Sequence, residues 1–154
     1  MKSSIKLTGM VRLVHRDKDG KVISDTGFIK NVITNAGKAQ MALLGIDPSA
    51  VPFTYLAVGS GTTAEAATQT ALVTEITTSG LGRAAATVTR STTTVANDTL
   101  QLDKTFTATG SVTVEEIGIF NDASAGTMLG RKLTTSKALA NGETLACQYK
   151  VVFA

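Results

Sequence analysis

The stretch Tyr55–Ile76, YLAVGSGTTAEAATQTALVTEI, decides between two kinds of fold. Tyr55-Leu56-Ala57-Val58 reads as a short strand, and Gly59-Ser60-Gly61-Thr62-Thr63-Ala64 follows it with the spacing of the G-x-G-x-x-G/A dinucleotide fingerprint. That reading would make the chain a doubly wound α/β protein with a parallel sheet. A dinucleotide site also needs a helix opening at the loop and an acidic residue about 20 positions further on to hold the ribose. Residues 77–90, TTSGLGRAAATVTR, contain no acid, and nearly everything after them reads as strand. A Walker-type phosphate loop fails too, because no Lys-Ser or Lys-Thr follows at the required position. The glycines are therefore read as a structural turn, and the sheet as antiparallel.

Working outward, period-two alternation dominates. Leu145, Cys147, Tyr149, Val151 and Phe153 share one parity and Gln148 and Lys150 the other, as in a strand with one buried face. Leu100, Leu102 and Phe106 stand opposite Gln101, Asp103 and Thr105 in the same way. Strands are predicted over 53–58, 83–90, 99–107, 112–120, 127–133 and 145–153, separated by the turn clusters TTTVAND, NDASAG and LANGE. Upstream, IKLTGMVRLVHR places Ile5, Leu7, Val11 and Leu13 on one face; DKDG supplies a turn, and KVISDTGFIKNVI returns with an interruption at Gly27. Asp17 and Asp19 beside Gly20 lack the further ligands of a calcium loop, so this is a hairpin turn. TNAGKAQMALLGID changes period: Thr34 or Asn35 can cap a short helix whose apolar side is Ala39, Ala42, Leu43 and Ile46, ended by Asp47-Pro48. The expected fold is one all-β domain over 1–154. It is mainly an antiparallel, jelly-roll-like β-sandwich, with one short helix around 35–46 and an N-terminal basic β-hairpin at 5–30.

Composition narrows the chemistry. A chain of 154 residues buries enough surface to fold without metal or disulfides. Cys147 and His15 are single, which excludes an intramolecular disulfide and a Cys/His metal cluster. Cys147 is expected in the core, and His15, sharing the parity of Val11 and Leu13, as a partly buried strand residue. No apolar run reaches the length of a signal or a membrane span, so synthesis in a reducing cytoplasm fits best and no membrane role is expected. Glu115 and Glu116 are neighbours in a strand and point to opposite faces, so they form no acid/base couple. No catalytic constellation, cofactor site or metal site is found, and an enzyme is not expected.

The net charge of +3 is unevenly spread. Lys2, Lys6, Arg12, Arg16, Lys18, Lys21, Lys30 and Lys38 face only Asp17, Asp19 and Asp25 in the first 40 residues. Nucleic acid is not the expected partner, because no aromatics are interleaved with the charges to stack bases. An acidic protein surface fits better, with Arg12, Arg16, Lys18 and Lys21 as the docking residues.

The segments NVITNAGKAQMALL, YLAVGSGTTAEAATQTALVTEI, VEEIGIFNDASAGTMLGRK and NGETLACQYKVVF together resemble small virion proteins of tailed bacteriophages and the N-terminal attachment domain of phage tail-collar fibres. In that group a T-N-x-G helix start, an A-[VI]-G-x-G loop, a T-A-L-x-x-E segment and an E-x-G-[IL]-F strand recur in this order. The matching residues here are Asn35 and Gly37; Gly59 and Gly61; Ala71, Leu72 and Glu75; and Glu116, Gly118 and Phe120. The resemblance implies a structural turn at Gly59–Gly61 and a Thr/Ala-rich loop crossing the sheet. It also implies a non-enzymatic, homo-oligomeric structural protein of the virion, made in the host bacterial cytoplasm, with major capsid or tail and neck proteins as partners. Because the sequence runs out at Ala154 without a fibre shaft, a capsid decoration (cement) protein is expected first. A tail, neck, baseplate or fibre-attachment protein comes second. A carbohydrate or cell-surface binding module is the alternative of another class, although only two tyrosines and no tryptophan are present to stack on sugars.

Overall fold

The computed structural model describes residues 4–154. In chain order the elements are β1 (Leu7–Arg16), β2 (Val22–Asp25), β3 (Ile29–Lys30), β4 (Val32–Ile33), α1 (Asn35–Leu44), β5 (Tyr55–Gly59) and β6 (Ala84–Ala85). They continue as β7 (Thr87–Ser91), β8 (Thr99–Thr107), β9 (Val112–Phe120), β10 (Met128–Leu139) and β11 (Thr144–Phe153). Alternating apolar positions drive these strands into two antiparallel sheets packed face to face. The first runs β2-β1-β11-β8-β7, with β3 also on β1; the second runs β4-β10-β9-β5-β6. An all-β sandwich with a single short helix is thus the architecture.

The parity read from the sequence sets the core. Val11, Leu13, Leu102, Leu145 and Tyr149 of the first sheet and Leu56, Val58, Ile117, Ile119 and Leu129 of the second are fully buried against one another. Cys147 lies among them, 2% exposed. Ile5 shares the inward parity yet is 82% exposed, because β1 begins only at Leu7.

Several expectations are corrected. The returning arm of the hairpin is two short strands, β2 and β3, separated by Gly27 in the left-handed region (φ 61°). The predicted strand 83–90 is cut at Ala86: β6 belongs to the second sheet and β7 to the first, so the chain changes sheets there. β10 runs on to Leu139, with register shifts between Met128 and Gly130 and between Leu133 and Lys137.

The helix is capped by Thr34, whose hydroxyl accepts from the Gly37 N–H at 2.8 Å and donates to Met128 O at 2.5 Å. Its buried side is not the predicted one: Ala39, Ala42, Leu43 and Ile46 are exposed, while Met41 and Leu44 pack on the core and Gly37 is buried. A Cβ on Gly37 would lie 2.6 Å from Leu129 Cα. The helix therefore approaches β10 through its glycine, a contact that apolar periodicity cannot reveal. It ends at Leu44, with Gly45 as the cap, two residues short of the predicted end.

Candidate functional site

The outer faces of the two sheets differ in kind. On the second sheet, residues 60–83 run across the strands and cover them. Leu72 packs with Ala57, Phe120 and Met128 in a small apolar cluster beneath this segment. Its centre is Glu116, fully buried on β9, which accepts from the N–H groups of Gly61 (3.1 Å), Val73 (3.1 Å) and Thr74 (2.8 Å) and from Arg131 Nε (2.6 Å). A carboxylate is suited to the position because it only accepts, and three otherwise unpaired backbone donors converge on it.

Arg131, also fully buried, carries the network outward through Nη1 to Gln69 Oε1 at 3.1 Å; its Nη2 has no partner among the described residues. Gln69 in turn ties Ala64 and Ala66 together. Glu65 closes the free side of β10, accepting from Lys132 Nζ and the Leu133 N–H, both at 2.6 Å. At the other end Arg83 chelates Glu75 (2.9 and 2.6 Å), donates to Asp122 O and Ala125 O, and lies 3.6 Å over the Phe120 ring.

The motif residues singled out in the sequence, apart from Asn35 and Gly37, converge here. Gly59 bridges to Glu75, and a Cβ on Gly59 or on Gly61 would stand 2.5 Å from Glu116 Oε1. Neither glycine has positive φ among the described residues, so close approach to the carboxylate is what requires them. Gly118 leaves room for Leu72, and Phe120 carries Arg83. Asn35 and Gly37 stand apart at the helix start, although the Asn35 N–H reaches Ala67 O of the crossing segment at 2.8 Å. Sequence reasoning missed Glu65, Gln69, Arg83 and Arg131. Their only signal was that charged and amide residues punctuate an otherwise Thr/Ala-rich segment and an apolar strand.

Among the described residues the outer face of the first sheet has no comparable cover. Cross-strand register lays its residues in rows: Lys30, Met10, Lys150, Gln101 and Thr89; then Arg12, Gln148, Asp103 and Thr87; then Val14, Ala146 and Thr105. Gln148 and Gln101 both donate to Asp103, at 2.9 and 2.8 Å. Lys150 Nζ lies 4.6 Å over the Phe28 ring, which is 40% exposed. A shallow depression of about 180 Å³ is floored by Val14 and Ala146 and rimmed by Arg12, Asp103 and Gln148.

Of the predicted docking residues, Lys18 and Lys21 are exposed at the turn, and Arg16 is half-buried at the end of β1. Arg12 is corrected: its guanidinium is already held by Asp25 (2.9 and 2.5 Å), so it brings no free charge. That hydrogen bond holds the Asp25 carboxyl well below the usual range. The cations of this side without a carboxylate partner, among the described residues, include Lys6, Arg16, Lys18, Lys21, Lys30 and Lys150.

His15, Glu143, Cys147 and Tyr149 are built into the fold. His15, at 4% exposure, is more buried than its parity suggested, and its Nε2 lies 2.7 Å from Glu143 Oε2. Glu143 is shifted below the usual carboxylate range, first by the Ala140 N–H and then by His15. Burial pushes the Cys147 thiol and the Tyr149 phenol upward. The larger depression, about 400 Å³ beside Glu75, Thr77, Arg83 and Ser124, offers no free charge, since every arm of Arg83 is engaged by the protein. Among the described residues no three His, Cys, Asp or Glu side chains are placed to hold a metal ion, and no helix is long and apolar enough to cross a membrane. No protein-family model, curated protein or solved structure matches the chain.

Proposed function

We propose that the protein is a non-enzymatic structural component of a tailed-bacteriophage virion, made in the bacterial cytoplasm and working by protein–protein assembly, with capsid decoration as its form. The observation that carries this reading is the convergence of the motif segments. Gly59, Gly61, Glu75, Glu116, Gly118 and Phe120, drawn from three separate stretches, serve one purpose, which is to pin the 60–83 segment over the second sheet. The residues that carry the resemblance are thereby given structural work, and the uncovered first sheet is left for a partner. Its free cations suit an acidic surface on a neighbouring virion protein.

Two measurements test the reading. A low-resolution map of purified particles distinguishes copies spread over the capsid shell from a ring at the neck or tail, and absence from the particle overturns the proposal. Reassociation with particles stripped of the protein tests the docking side. The variant with alanine at Arg16, Lys18 and Lys21 is expected to keep its fold and bind more weakly, with the deficit largest at low salt. Parent-like binding at low salt moves the docking surface elsewhere. One observation favours a carbohydrate module as the second reading: exposed Phe28 lies beside the amide and carboxylate rows of the same face. Selective retention on a glycan panel, lost in Phe28→Ala, would support it.

A further inference from the structure

A sheet edge presents unpaired N–H and C=O groups, and proteins that stay apart guard such edges with short strands, bulges, charges or cover. Among the described residues the sheet edges are guarded, with one exception. On the hairpin side, β1 is met by the two broken strands β2 and β3, with a register shift between His15 and Arg16. In the second sheet β4 is two residues long, and Glu65 takes the Leu133 N–H beyond it. The far side of β5 is closed by two-residue β6 and by the crossing segment, through Ser60 N–Thr74 O (2.8 Å) and Ile76 N–Val58 O (2.9 Å).

The exception is β7. It pairs with β8 in unbroken register from Thr87–Asp103 to Ser91–Thr99, and no described residue pairs with its other side. Thr87, Val88, Thr89 and Arg90 are exposed whichever way they point; the strand holds no proline, acid or bulge, and Arg90 is its one charge.

We infer that β7 pairs antiparallel with β7 of a second copy, about a two-fold axis at Thr89, joining two first sheets into one. The sequence of the strand argues for a second copy over an unrelated strand, because it complements itself. About that axis Thr89 faces Thr89 and Thr87 faces Ser91, hydroxyl against hydroxyl. Val88 faces Arg90, so the only charge meets methyl groups beside half-buried Leu100 and never its own kind. Moving the axis to Arg90 would set two guanidinium groups directly opposite each other. The contact is isologous, as closed dimers require, and its small extent suits copies that an assembly already holds side by side. It rests on the assembly reading for that last point alone.

Cross-linking of the full chain tests the axis. In an antiparallel pair, facing Cα atoms are about 4.5–5.5 Å apart, within disulfide reach, so Thr89→Cys should link to itself under mild oxidation. Thr87 of the two copies would stand roughly 13 Å apart along the strands, too far to link, and native Cys147 is buried and does not compete. Thr89→Cys is expected to form covalent dimer at least about tenfold faster than Thr87→Cys or a Ser124→Cys control, as a high effective concentration requires. Equal rates at positions 89 and 124 overturn the pairing, and a faster rate at 87 overturns the axis. Val88→Lys sets like charge against Arg90 of the other copy; sedimentation should show dimer in the parent at high concentration and monomer in this variant, with unchanged circular dichroism. A parent that sediments only as monomer also overturns the pairing, while binding to stripped particles is judged separately.

Discussion

Glu116–Arg131 and Arg12–Asp25 are both arginine–carboxylate pairs on outer sheet faces, at 2.6 and 2.5 Å. Their surroundings separate them. Both side chains of the first pair are fully buried under the 60–83 segment, and its carboxylate also holds three backbone N–H groups. In the second pair the side chains are 42% and 33% exposed, and water can replace either partner. Nearly the same contact is thus a keystone on the covered face and an adornment on the bare one.

The sharpest way to break this contrast is Glu116→Gln, which keeps the shape but leaves the buried guanidinium without its counter-charge and turns an amide toward N–H donors. Unfolding in urea should register a loss of about 3–5 kcal/mol. Limited proteolysis should begin within 60–83. The double variant Glu116→Met, Arg131→Leu refines the point. Buried pairs can often be exchanged for apolar residues without loss, but here three backbone donors would remain orphaned, so the double variant should stay well below the parent. Recovery to parent stability would mean that Glu116 serves only Arg131.

A smaller effect is expected from Gly59→Ala. Its Cβ would meet both Glu116 Oε1 and Thr74 O at 2.5 Å, and the backbone oxygen cannot step aside as a side chain could. A loss of about 1–3 kcal/mol in the same assay fits overpacking. Glu143 falls between the two pairs in exposure. Its folded carboxyl lies below the ordinary value, so its contribution is present above the unfolded pKa and is lost as pH falls through the folded one. Glu143→Gln should therefore weaken the protein at neutral pH and flatten its acid-side decline, read as melting temperature against pH. The smallest effect is Arg12→Ala, which should lower the melting temperature only slightly, and less at high salt, where the exposed pair is screened.

The bare face was far more legible in sequence than the covered one. Parity in β1, β8 and β11 placed Leu13, Leu102 and Tyr149 inside and Arg12, Asp103 and Gln148 outside, because regular strands repeat every two residues. The covered face depends on departures from that period. Register shifts in β10, a crossing segment without regular structure and glycines that admit a carboxylate leave no periodic trace. Glu116 stood out in sequence as a motif residue and as half of a dismissed acid pair, but its role needs Gly61, Val73 and Thr74, which only the fold brings to it. The helix itself was legible, but its buried side was not, since Gly37 makes its closest contact.

The ten-residue ladder between β1 and β11 has a kinetic meaning. Leu7 pairs with Phe153, and the partners converge to Arg16 with Thr144, so the middle of the first sheet joins segments nearly a whole chain apart. Bringing such distant strands together is an entropic hurdle met before the contacts reward it. Until it is crossed, β1 lacks the long strand that flanks it at the centre of the sheet. Folding should accordingly fall in the slow class of all-β domains, and stopped-flow refolding would measure it. Lys6 and Ala154 exchange backbone hydrogen bonds, so a circular permutant that links them and opens the chain between α1 and β5 would turn this long ladder into a local hairpin and hasten folding while leaving the native contacts in place.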